Sequence, residues 1–176
     1  MRRIFRRRGF TLIELGVVVT ILGVMVAFAV PAYIDSMETT KADEAAAMMQ
    51  MVGNANRMYK ADHPSTGWVS GTLTNTCNSG SCGADTTGCE LVRCKYVASA
   101  DFDSKSYVVA AASGGSCTVT GNASKTFSGS LVACTSRATA SAAAKFQNWG
   151  YTMDTNSLVT CSPSPCGNPN PPTPPQ

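Results

Sequence analysis

Glu14 is the only formally charged side chain in an apolar run of 25 residues from Phe10 to Ile34. A glutamate at membrane depth costs a few kcal/mol unless it is paired or protonated, so it reads as a functional group whose chemistry is ion pairing. The bland alternative places it close enough to the interface to stay hydrated. A second set of reactive residues is the eight cysteines, Cys77, Cys82, Cys89, Cys94, Cys117, Cys134, Cys161 and Cys166, all beyond residue 76. An even count confined to one region points to disulfides formed in an oxidising compartment. Zinc is the competing reading, because Cys77/Cys82, Cys89/Cys94 and Cys161/Cys166 each enclose four residues. The Ser-, Thr- and Gly-rich segments between them hold no histidine, so no metal site is expected. Short bridges within Cys77/Cys82 and within Cys89/Cys94 are expected, among about a hundred formal pairings.

Other reactive side chains offer little. His63 is the only histidine and sits beside Pro64. No Ser or Cys is marked as a nucleophile with a base and an orienting partner, so neither catalysis nor a cofactor is expected. Asp101 and Asp103 form an Asp-x-Asp without a surrounding calcium-loop pattern, which reads as a turn leading into a strand. Met48, Met49, Met51 and Met58 could bind soft Cu(I), but a helix packed on a sheet explains them more simply. Asn122-Ala123-Ser124 is a glycosylation sequon.

The elements that must position these groups follow from periodicity and composition. As a helix, residues 10–34 extend about 37 Å at 1.5 Å per residue, enough to cross a hydrocarbon core of roughly 30 Å. Arginines before the run and Asp35, Glu38, Asp43 and Glu44 after it place the N-terminus in the cytoplasm and the remainder outside. Ala27-Phe28-Ala29 resembles a secretory cleavage site, but the run is longer than a usual signal core. Past it, Ala45, Met48, Val52, Ala55 and Tyr59 recur at helical spacing, with Asp43, Glu44, Gln50, Asn54, Arg57 and Lys60 on other sides. Pro64 ends that helix. Residues 64–100 form a cysteine-rich connection. An antiparallel sheet is expected over 101–162, with a strand at 106–111, a turn at Gly114-Gly115, a partner at 117–120, strands at 131–137 and 149–153, and a final hairpin through 154–157. Residues 163–176 read as a proline-rich tail.

Composition bounds the partners. The 176 residues are 44% hydrophobic and only 14% charged, against a usual charged share of about 25%. Five of the 14 basic residues lie among the first eight; without them 9 remain against 11 acidic residues. That balance argues against a nucleic-acid binder by bulk charge.

Arg8-Gly9 followed by Phe10-Thr11-Leu12-Ile13-Glu14-Leu15, an apolar helix and Pro31-Ala32-Tyr33 resembles the N-terminus of type IV pilins and pseudopilins. The resemblance covers roughly the first 60 residues. It implies an α+β pilin fold, a long N-terminal helix packed on an antiparallel sheet with a disulfide-stabilised head. It also implies a leader at residues 1–9, cleavage between Gly9 and Phe10 by a prepilin peptidase, and methylation of the new Phe10 amine. The Glu14 carboxylate would then pair with the Phe10 amine of a neighbouring subunit. Two charges that are costly alone in lipid would neutralise each other during assembly. The segment between Gly23 and Pro31 would supply helix flexibility, since proline removes a backbone donor and crowds the carbonyl four residues earlier, and Gly16 and Gly23 would let helices approach closely. The implied partners are the inner membrane before assembly, the inner-membrane pilus assembly machinery and further copies in a helical filament on the cell surface. Nucleic acid would be met only through the assembled filament. The alternatives are a type II secretion pseudopilin, a soluble secreted disulfide-rich binding protein released after Ala29, and a single-pass membrane protein that does not assemble.

Overall fold

The computed structural model describes residues 9–83, 85–120, 124–137, 146–167 and 170–174. The sequon at Asn122-Ala123 and the arginines before Gly9 lie outside the described residues. The chain divides between Met37 and Glu38 into two units.

Among the described residues of the first unit the element is the beginning of helix α1, Leu12–Asp62, which runs without interruption through Pro31. Its residues up to Ile34 are exposed. The second unit is an antiparallel meander. Strands β1 (Gly71–Thr72), β2 (Tyr107–Val119), β3 (Lys125–Arg137), β4 (Gly150–Asp154) and β5 (Val159–Ser162) are hydrogen-bonded in chain order. The second half of α1 buries Ala42, Ala45, Ala46, Met49, Val52, Ala55 and Tyr59 in a core with Val109, Ala111, Val132, Ala133, Tyr151 and Met153. Small residues let helix and sheet approach closely. A Cβ at Gly53 would run into the Met153 sulfur and lie 3.4 Å from Ala133 Cβ. The α+β layout expected from sequence is therefore present, and α1 stops at Asp62, just before His63-Pro64.

Two expectations need correction. Gly114-Gly115 does not reverse the chain. Strand β2 continues through it and pairs with β3, whose start at Lys125 precedes the expected 131 by six residues. The ladder is irregular between Ala111 and Gly115, and Gly114 (φ +80°) and Gly129 (φ +144°) take left-handed conformations open chiefly to glycine. These glycines bend the long hairpin instead of closing it. Its far end folds back over the sheet's outer face, forming a second small core of Ala110, Ala112, Cys117, Val119, Phe127, Leu131 and Cys134. The Cys117–Cys134 disulfide closes this fold-back, although the ladder partners of these residues are Phe127 and Ala110. At the fold-back's tip, the Thr120 N–H donates to Thr72 Oγ1 at 2.9 Å.

The other correction concerns the connection. Its disulfides are Cys77–Cys89 and Cys82–Cys94, not the short loops within each pair. The reason is local. Cys89 and Cys94 flank the single-turn helix α2, Glu90–Arg93, at opposite ends. Five helical rises separate them by about 7.5 Å, beyond ordinary disulfide reach. Each instead reaches back to the preceding segment, stapling a 3₁₀ turn at Asn75–Asn78 against α2. Cys161–Cys166 closes the tail, where Gly167 N–H donates to Pro171 O at 2.8 Å.

Asp101 forms the turn before β2 as expected. Its carboxylate accepts from Ser104 Oγ at 2.5 Å, Asn75 Nδ2 at 2.9 Å and Ser104 N–H at 3.2 Å. These bonds, from Ser104 above all and then Asn75, lower its pKa to about 2. A depressed carboxylate stabilises the fold above its unfolded value of about 4 and loses that contribution as pH falls through its folded value. An NMR titration of the Phe102 and Ser104 amides is expected to show the turn opening with a midpoint near 2; a midpoint at the ordinary Asp value would disprove the lock.

Candidate functional site

The chemistry-bearing N-terminal segment begins with residues 9–11 outside any helix and enters α1 at Leu12. Thr11 and Glu14 form a reciprocal cap. The Glu14 carboxylate Oε2 accepts from Thr11 N–H at 2.9 Å and Thr11 Oγ at 2.8 Å, while Thr11 Oγ1 accepts from Glu14 N–H at 3.3 Å. The signal was present in the sequence as Thr-x-x-Glu ahead of an apolar run, a capping box that satisfies otherwise orphaned helix donors. Through this cap Glu14 is bonded to its own helix end, and its carboxylate is held on the first turn, where the helix dipole favours negative charge.

Around Glu14 the surface is apolar. Phe10 is 83% exposed and Ile13 75%, and the exposed large side chains continue through Val18, Leu22, Val26 and Phe28 to Ile34. A window of 18 residues in this helix has a mean hydropathy of 2.5, and none of it is buried. By length and composition it can cross a membrane. A soluble protein rarely shows an apolar surface of this extent unless something covers it. Sites for a Cβ at Gly16 and Gly23 have no heavy atom within 4 Å, so both faces are open to a neighbouring helix. Gly9, Phe10, Glu14, Gly23 and Pro31 thus all lie on one exposed segment.

The cysteines are elsewhere, within the second unit, and all eight are paired. Cys82, Cys94 and the buried carboxylate of Glu90 lie together, but both sulfurs are in the disulfide, and Glu90 accepts from Gly83 N–H at 2.7 Å and Arg93 at 3.1 Å. The methionines divide. Met49 is buried and Met48 packs on the core, whereas Met51 and Met58 are exposed. The packing explanation therefore holds for two of the four. His63 stacks on Tyr59 with ring centroids 4.3 Å apart.

Two polar groups that sequence reasoning passed over hold α1 to the sheet. Glu38, read as a flanking acid, is buried, and its carboxylate meets the Arg137 guanidinium, 2.6 Å from Nε and 3.2 Å from Nη2. Tyr107 Oη donates to Glu38 Oε1 at 3.3 Å. Burial and the Glu38 charge together push the Tyr107 phenol well above its usual pKa. Asn56, fully buried, accepts from Val69 N–H at 3.1 Å and directs Nδ2 at the carbonyls of Val69, Ala112 and Val132.

Residues 4–30 match the family described as the prokaryotic N-terminal methylation motif. The type II secretion system core protein G of Vibrio cholerae is 42% identical over 65 residues, 36% of this chain and 43% of that protein. The type IV major fimbrial protein FimA of Dichelobacter nodosus is 53% identical over 38 residues, 22% of this chain and 24% of that protein. The chain therefore spans less than half the length of these relatives. No solved structure matches. The chain matches the prokaryotic N-terminal methylation motif and, over part of its length, is similar to a type II secretion protein and to a type IV fimbrial protein.

Proposed function

We propose that this chain is a structural subunit of a type IV pilus. The observation that carries the reading is the motif-bearing segment from Phe10 to Ile34, helical from Leu12, whose apolar surface is exposed along its whole length with one carboxylate near its start. Residues 1–9 act as a leader, removed by a prepilin peptidase between Gly9 and Phe10, and the Phe10 amine is methylated. Residues 10–34 hold the prepilin in the inner membrane with the N-terminus cytoplasmic and later form the filament's apolar core. During assembly Glu14 exchanges its local bonds to Thr11 for the Phe10 amine of a neighbour. An ion pair across subunits is far stronger in a dry environment than either charge is tolerable alone. The segment from Gly23 to Pro31 gives the helix its compliance. The head, residues 35–176, stays outside, where its four disulfides suit an oxidising compartment. Adhesion, motility and DNA uptake are the roles such a filament serves.

A type II secretion pseudopilin is the second reading, favoured by the longer stretch over which the secretion protein matches. Neither role requires catalysis by this chain. Intact mass and N-terminal sequencing of the native protein, with and without its prepilin peptidase, test the reading. The expected product begins at methylated Phe10 and depends on the peptidase; a chain beginning at Val30 would overturn it in favour of a secreted soluble domain. Imaging of sheared surface fibres then separates a pilus from a short secretion filament.

A further inference from the structure

The geometry points to a groove on the head as the seat for the apolar N-terminal helix of a second copy of this chain. The groove has a volume of about 510 Å³ and lies between α1, the β4–β5 hairpin and the tail. Gln50 and Asn54 form one wall, Met153, Leu158 and Val159 the other, and Pro174 the rim. Among the described residues every lining side chain is uncharged. Its wall is fixed in place, because the Arg57 guanidinium donates to Ser157 Oγ and Thr155 O in the β4–β5 turn.

The surface beside this groove has the same character. Among the described residues of the second unit, the large apolar side chains left exposed are three: Met51, Met58 and Leu158. Met51 and Met58 stand on an outward stripe of α1, Thr40, Glu44, Ala47, Met51, Asn54 and Met58, all exposed and separated alternately by four and three residues. That repeat keeps a seam straight along a partner helix. The one charge in the seam, Glu44, is neutralised by Lys105 at 2.5 Å. Asn54 belongs to both the stripe and the groove, so the two join, with the Glu44–Lys105 pair as the stripe's charged part.

The occupant is argued from the chain itself. Residues 15–34 offer an apolar cylinder without a formal charge and with its large side chains exposed. A groove of this size takes a few large side chains from such a helix rather than the helix itself, as knobs enter holes. Exposed methionine suits the contact because its unbranched thioether adapts to irregular partners. The proposal rests on the filament reading and adds a head surface to it.

The test uses the full-length chain in its native membrane, produced as a mixture of isotopically light and heavy copies with a benzophenone amino acid at Leu158. Cross-linked peptides joining light to heavy chains, mapped by mass spectrometry, are expected to connect position 158 to residues 10–34. The Met51→Lys/Leu158→Lys variant is expected to yield at least tenfold less polymer while its disulfides and membrane level stay as in the unaltered chain. Polymer whose adducts join position 158 only to its own chain, another head, lipid or a different protein overturns the groove and leaves the filament reading standing. Wild-type polymer yield from the double-lysine variant does the same. Absence of any polymer from the unaltered chain overturns both.

Discussion

Arg137→Leu is expected to destabilise the head by about 3–5 kcal/mol, because it leaves the Glu38 carboxylate buried without its guanidinium. Glu38 and Arg137 side chains are each only 6% exposed, and the pair makes two contacts within 3.2 Å. Lys41, 3.6 Å from Glu38 Oε2, stays as a weaker partner, and so the loss should fall toward the lower end of that range. Removing both charges is a different matter. A Glu38→Met/Arg137→Met double variant avoids the desolvation of two ions, and its stability is expected within about 1 kcal/mol of the unaltered chain. Denaturant unfolding of the detergent-solubilised chain, followed by near-ultraviolet circular dichroism, compares both variants with the unaltered chain. A double variant as unstable as Arg137→Leu would show that packing, not charge, is what the pair contributes. The pair's place in the fold explains its value: Glu38 opens the head's half of α1 and Arg137 closes β3, so one contact fixes the register of helix on sheet.

The division between what could be read from residue order and what could not follows sequence distance. Helix α1 was legible because its signals are local: the apolar run to Ile34, the stripe of Ala45, Val52, Ala55 and Tyr59, and Pro64 at the end. The cap at Thr11 and Glu14 was equally local and was missed only as a pattern. The fold-back of β2 and β3 was not legible, because Gly114 looks the same whether it reverses a chain or bends a continuous strand. Glu38 and Arg137 are 99 residues apart, and nothing near either one distinguishes a buried ion from a solvated one. Disulfide partners failed for a related reason. A single turn of helix between Cys89 and Cys94 decided against the shortest loops, and four helical residues are too few to announce themselves. The methylation motif is the opposite case, a short contiguous string whose meaning does not depend on the fold of the head.

Asn56→Leu is expected to cost about 3–5 kcal/mol and to act at one place in the sheet. Val132 and Ala133 both face the helix, breaking the alternation of a regular strand, because the ladder between β3 and β4 is irregular between Leu131 and Ala133. The ladder between β2 and β3 is irregular beside it, between Ala111 and Gly115. Such bulges leave backbone groups without ladder partners, and a buried orphan costs about 1–3 kcal/mol. Asn56 supplies the missing partners from α1. Its amide nitrogen lies 2.9 Å from Ala112 O and 3.0 Å from Val132 O, and its oxygen takes the Val69 N–H. Leucine keeps the branched shape, is larger and can do none of this, so the loss reports missing hydrogen bonds with some overpacking rather than a cavity. Hydrogen exchange gives the sharper readout. The Val69 amide is expected to lose protection well before the β2 and β3 amides paired within the ladder. Uniform loss of protection across the sheet would mean that Asn56 contributes only to global stability, and unchanged Val69 protection would rule out its bond to the Val69 amide.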